Sequence, residues 1–215
     1  NQLPSASLSQ AADLVARLIE VRVPAKRASV VGISSGGMVI HALLRRHPDR
    51  VDRAIIDGTP VRARGRRLTD LLGAPLAPFI HTRPVMAFLR DTHDPADLQA
   101  ASRRAFGRTI AEIFRTSAVI DAPCPTLLIA GEMEAGLKRS DTRETNAALA
   151  TLMPHGEAWY APGLDHCWQR AEPDLHIRTV EAWVSGQELP TELCREPAPS
   201  PEAVERVRAI PNGGT

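Results

Sequence analysis

The run Ala28-Ser29-Val30-Val31-Gly32-Ile33 is almost continuously apolar, with consecutive valines and no alternation of apolar with polar positions. A strand with one face in water alternates, whereas one without alternation is covered on both faces, as in a parallel sheet packed between helices. The next residues, Ser34-Ser35-Gly36-Gly37, give way at once to a helical pattern that continues to Arg46. Glycines this close together mark a backbone turn that side chains would obstruct. A buried strand turned this sharply into a helix leaves few folds open.

The rest of the chain repeats the alternation. Ser7 to Arg22 reads as a helix, with Ser7 and Gln10 fitting a capping box and Ala11, Leu14, Val15, Leu18 and Ile19 forming one apolar face. The helix after Gly36 stops at His47-Pro48, since the residue before a proline disfavours the helical region. Val51 to Ile56 reads as a second buried strand, Thr126 to Ala130 as a third and Glu157 to Tyr160 as a fourth. Helices are expected over Thr142 to Met153 and Glu172 to Val184. Strands alternating with helices predict an α/β fold around a parallel sheet. Residues 61–122 differ, with four prolines between Pro75 and Pro95, an Arg-rich start and helical patterns only. They are expected to be a helical cap or lid inserted into a core made of 1–60 and 123–190. Residues 191–215, rich in Pro, Ala, Ser, Glu and Gly towards the end, are expected to be a disordered tail.

Gly32-Ile33-Ser34-Ser35-Gly36 fits a nucleophile elbow, in which a tight strand-to-helix turn exposes a serine Oγ. Ser34 would stand at the amino end of the following helix, where backbone N–H groups favour an anion, so the Ser35 N–H is a candidate oxyanion donor. A serine needs a base. Of the seven histidines, His41 and His47 read as helix-surface or helix-end residues, His81 and His93 fall in the insertion, His155 in a turn and His176 in the last helix. His166 follows the fourth strand on the loop Ala161 to Asp165, and open α/β sheets place their reactive groups beyond the carboxyl ends of strands. The acid that orients it is expected at another strand end. Glu134, after the third strand, is the first choice and Asp57, at the end of the second, the alternative. Glu132 fits a cap or loop anchor.

Together these residues resemble the α/β-hydrolase superfamily over about residues 5 to 190. In that family a strand like "RASVVGISSGGMV" carries the nucleophile, which puts the role on Ser34. "HPDRVDRAIIDGTP" looks like the next helix end and strand. "CPTLLIAGEMEAG" resembles the strand whose loop usually ends G-x-x-D with the acid, with Glu134 at the aspartate position, and "APGLDHCW" looks like the segment bearing the base at His166. The resemblance implies a parallel-sheet α/β-hydrolase core, its carboxyl-terminal part, with a helical lid. It implies a Ser-His-acid hydrolase of carboxylic esters or related acyl bonds that needs no cofactor or metal. Relatives carry about four further strands and a His-Gly loop with a second oxyanion donor before this point. The Ser34 strand is therefore expected at a sheet edge, the chain being either the carboxyl-terminal part of a longer hydrolase, the simpler reading, or one whose remainder a partner supplies.

Net charge of +1 gives no reason to expect nucleic acid, and Arg62, Arg64, Arg66 and Arg67, without interleaved aromatics, read as a solvated loop. The three cysteines show neither metal spacing nor a disulfide framework, which points to a reducing, cytoplasmic setting, and no apolar run is long enough to span a membrane. The expected partner is a small ester or acyl substrate. Leu71, Leu72, Leu76, Phe79, Ile80, Met86, Phe88 and Leu89 either line its pocket or pack the lid helices on the core. The alternatives to an enzyme are a small-molecule binder of the same fold and an inactive fragment.

Overall fold

A computed structural model describes residues 7–59, 121–133 and 141–209. Its elements run α1 (Leu8–Arg22), β1 (Ala28–Ile33), α2 (Ser35–Arg46), a 3-10 turn (Pro48–Arg50), β2 (Val51–Asp57), β3 (Thr126–Gly131), α3 (Asp141–Leu152), β4 (Gly156–Ala161), α4 (Trp168–Ala171), α5 (Pro173–Ser185), β5 (Cys194–Arg195) and α6 (Pro201–Arg208). The described strands form one sheet in the order β1-β2-β3-β4-β5, parallel except for the antiparallel β5. The expected α/β architecture is thus present. The insertion expected over 61–122 lies outside the described residues apart from its last two, as do His81, His93 and Glu134.

Two apolar layers sandwich the sheet at β2 and β3, as non-alternating strands require, whereas β1, expected to be covered on both faces, is buried only at Gly32. One face packs with α1, α2, α3 and α6, through Ala12, Leu43, Leu44, Ile56, Leu128 and Leu149 among others. The other face meets α4 and α5, through Ile55, Leu127, Ile129, Trp168, Leu175 and Trp183. β3 is buried along its whole length. Among the described residues β1 stands at the sheet edge, and Val31 there is 41% exposed.

Two expectations are corrected. The capping box at Ser7 and Gln10 is formed, yet α1 buries Leu8, Ala12, Ala16 and Ile19 while Leu14 and Leu18 are exposed. The helix presents its small residues Ala12 and Ala16, which permits close approach to α2, in place of its bulkiest stripe. The expected disordered tail is also partly folded. Residues 194–195 add β5, and α6 buries Ala203 and Val207, four apart on one helix face. Ser200 caps α6 by accepting a hydrogen bond from the Ala203 amide at 3.1 Å, and Pro201 occupies the first turn, where its missing N–H costs nothing. Arg206 and Ser200 both reach Glu144 of α3, at 2.9 and 3.0 Å.

Candidate active site

The carboxyl ends of β1 to β4 lie along one edge of the sheet, where open α/β sheets bind ligands. At the end of β1 the chain turns into α2 through Ser34, whose φ of 54° and ψ of −117° are outside the regions that non-glycine residues favour. Such a conformation costs on the order of 1–3 kcal/mol and persists only where the surroundings enforce it. Here they do. The Ser34 amide donates to the Asp57 carbonyl at 2.8 Å, and the Ser34 carbonyl accepts from the Gly37 amide at 3.1 Å and from Thr59 Oγ1 at 2.9 Å.

The glycines divide the steric work unequally. A Cβ on Gly32 would stand 2.6 Å from the Gly36 carbonyl group and 2.7 Å from the Gly37 nitrogen, all backbone atoms that cannot swing away. A Cβ on Gly37 would strike Thr59 and come within 2.9 Å of Ile56 Cγ2. At Gly36 a Cβ meets nothing within 4 Å among the described residues. The turn therefore needs glycine at 32 and 37, and among the described residues nothing crowds the motif's second glycine, Gly36. Ser34 is half-buried and Ser35, the first residue of α2, is exposed; the first N–H groups of a helix lack intrahelical acceptors.

His166 is half-buried on the loop between β4 and α4. That loop is tied to the end of β3: the Met133 amide donates to the Leu164 carbonyl at 2.8 Å, the Glu132 amide to the Ala161 carbonyl at 3.0 Å, and the Gly163 amide to Glu132 Oε2 at 2.8 Å. Glu132 is thus a loop anchor, one of the roles its position suggested. The Leu164 carbonyl lies 2.6 Å from where a Gly131 Cβ would be, so only glycine lets the loop cross the strand end this closely.

Asp57 closes β2 and is fully buried. Its Oδ1 accepts the Trp168 indole N–H at 2.9 Å, and its Oδ2 lies 3.5 Å from His176 Nε2. The Trp168 and His176 rings meet edge to face, with centroids 4.9 Å apart. Ser34 and Asp57 are therefore brought together, and Asp57 turns its carboxylate towards α4 and α5. Trp168, His176 and Thr59 carry roles that sequence reading missed. Thr59 stood in a segment read only as a strand end, and His176 was legible only as a helix residue.

The remaining histidines sort by environment. His41, expected on the helix surface, is instead buried, and burial followed by the nearby Arg45 charge lowers its pKa to about 4. His47 at the end of α2 pairs with Asp13 at 2.7 Å. Two cavities, of about 230 and 400 Å³, are lined by residues such as Thr151 and Arg195 or Arg53 and His155, and neither includes Ser34 or His166.

A mostly parallel sheet between two helical layers, with a strained serine turn at the carboxyl end of β1, defines a protein of the α/β class. The chain belongs to the α/β hydrolase family, whose model matches residues 2–178. Among solved structures it is similar to a thermophilic esterase from Thermogutta terrifontis, with a TM-score of 0.64 and 16% identity over 85% of this chain and 73% of that one. It is also similar to a putative non-heme bromoperoxidase, BpoC, from Mycobacterium tuberculosis H37Rv, with a TM-score of 0.62 and 18% identity over 84% and 75% of the two chains. An E-2-(acetamidomethylene)succinate hydrolase gives a TM-score of 0.62 and 20% identity over 86% and 76%. Likeness at these identities speaks for the fold. Among the described residues no helix is long and apolar enough to cross a membrane.

Proposed function

We propose that this chain is a serine hydrolase acting on a carboxylic ester or a related acyl bond of a small molecule, with Ser34 as nucleophile, His166 as base and Glu134 as the acid. The observation that carries the reading is the backbone of Ser34. A non-glycine residue held at positive φ, locked by three hydrogen bonds and two obligatory glycines, is strain kept at the point where a strand end presents a hydroxyl. The bonds that tie Glu132 and Met133 to Ala161, Gly163 and Leu164 support Glu134, the next residue in sequence, as the choice of acid, because they fasten the described end of β3 to the loop that carries His166.

In this mechanism Ser34 Oγ attacks the acyl carbon as its proton passes to His166. The Ser35 N–H, at the positive end of α2, donates to the oxyanion. The imidazolium, stabilised by Glu134, returns the proton to the departing alcohol, leaving an acyl group on Ser34. Water deprotonated by His166 then attacks that acyl group, and the acid leaves as Ser34 regains its proton. Residues 61–122 would supply the acyl-binding wall.

Covalent labelling by a fluorophosphonate probe with peptide mapping tests this. Labelling of Ser34 in the 215-residue chain, lost in Ser34→Ala, is the expected result. A chain shown to be folded that takes no label at Ser34 would overturn it in favour of a binding role.

A further inference from the structure

A carboxylate with no solvent exposure persists only if its oxygens are engaged. Asp57 is such a group, and its engagements lead in two directions. Through its main chain it holds the nucleophile turn: its carbonyl accepts the Ser34 amide at 2.8 Å and Thr59 Oγ1 at 3.2 Å. Through its side chain it holds Trp168, which is fully buried and follows His166 by two residues. His176, against the other carboxylate oxygen and the Trp168 ring, completes the cluster. The loop carrying His166 is thus fixed at both ends, before the histidine by Met133 and Glu132 and after it by Asp57.

We infer that Asp57 is a positioning residue, whose carboxylate sets the place of His166 by holding Trp168 while its own backbone holds Ser34. This rests on the reading of Ser34 and His166 as nucleophile and base, and it gives Asp57 a part distinct from that of triad acid. The two parts make opposite demands. A triad acid needs negative charge beside the imidazole, whereas a holder of Trp168 needs only an acceptor oxygen. Asp57→Asn keeps that oxygen, and its amide N–H can face the His176 ring. Asp57→Ala removes the oxygen, and Trp168→Phe removes the donor together with the indole's five-membered ring while leaving a six-membered aromatic ring.

The experiment compares rates of fluorophosphonate labelling at Ser34 for the wild-type chain, Asp57→Asn, Asp57→Ala, Trp168→Phe and Glu134→Gln, each checked for folding by circular dichroism. Asp57→Asn is expected to label within about threefold of wild type, while Asp57→Ala and Trp168→Phe, losing a buried hydrogen bond, slow by roughly tenfold or more. Glu134→Gln is expected to slow by about 10⁴-fold, the scale of removing a triad acid's charge. A fall of that size in Asp57→Asn would put Asp57 in the triad and overturn the inference; so would a Trp168→Phe variant that labels like wild type. The His166 ring resonances, read by NMR in the same chains, supply a second test independent of labelling. They should move in Trp168→Phe and Asp57→Ala and return to wild-type positions in Asp57→Asn. Unmoved resonances in Trp168→Phe would overturn the inference even in a chain that takes no label, and Trp168→Phe with Asp57→Asn decides the matter should Asp57→Ala not fold. A folded wild-type chain that is unlabelled would refute the hydrolase reading alone.

Discussion

His41 should make this protein sensitive to mild acid. It is buried in α2, and its pKa falls from 6.5 to about 4, first because burial penalises the imidazolium and second because Arg45 is close. Above pH 6.5 the ring is neutral in both the folded and the unfolded chain and costs nothing. Between 6.5 and about 4 the unfolded chain takes up a proton that the folded chain refuses, so stability declines as pH falls. Below about pH 4 both states are protonated and the loss is complete. The gap between 6.5 and about 4 corresponds to about 3 kcal/mol at 1.36 kcal/mol per pKa unit. That is a large share of the 5–15 kcal/mol or so by which domains are usually stable. Asp13, held at about 2 by Arg46 and His47, titrates below this window and does not confuse it. The assay is urea unfolding followed by tryptophan fluorescence between pH 7.5 and 4.5, for wild type and His41→Leu. The variant should lose markedly less stability on acidification than wild type, by up to about 3 kcal/mol at the acid end. Parallel decline in the two chains would refute the reasoning and move the acid sensitivity elsewhere.

Three further outcomes follow from the serine turn. Gly32→Ala forces a Cβ to 2.6 Å from the Gly36 backbone and should abolish Ser34 labelling while costing about 1–3 kcal/mol or more in urea unfolding. Gly36→Ala, where a Cβ meets nothing within 4 Å among the described residues, should label like wild type and gain about 0.4–1 kcal/mol, since alanine favours the helix and restricts the unfolded chain. Thr59→Val keeps the shape but removes the hydroxyl that donates to the Ser34 carbonyl at 2.9 Å, and should cost about 1–3 kcal/mol with slower labelling at Ser34.

What was legible in the sequence depended on how local its physical cause is. The capping box of α1, the strand at Ala28–Ile33, the stop at His47-Pro48 and the turn at Ser34 are each decided within a few residues, and each appears where the pattern put it. The docking face of α1 was misread because it depends on α2, which accepts the alanines at 12 and 16 and leaves Leu14 and Leu18 in water. The fold of residues 194–208 was hidden by composition. Pro and Glu suggest disorder when counted, yet Ser200-Pro201 followed by Ala203 and Val207 is a capped helix with a narrow apolar face. A positional reading would have found it.

The site divides along the same line. Ser34 and His166 could be proposed from the sequence because each proposal rests on the adjacent chain, as a turn and as a loop beyond a strand. Asp57 was named too, but its partner was not, because Trp168 lies 111 residues away and nothing in either local segment points to the other. The strain at Ser34 makes such distant bonds necessary. A residue held at φ 54° returns to a relaxed backbone unless its amide, its carbonyl and its neighbours' volumes are all committed. The commitments come from Asp57 and Thr59 on β2 and the segment after it, not from the motif alone. Five residues suffice to suggest the turn, and the adjacent strand is what holds it; a motif of this kind is then informative only in a chain that also provides an acceptor and a donor at the end of the next strand.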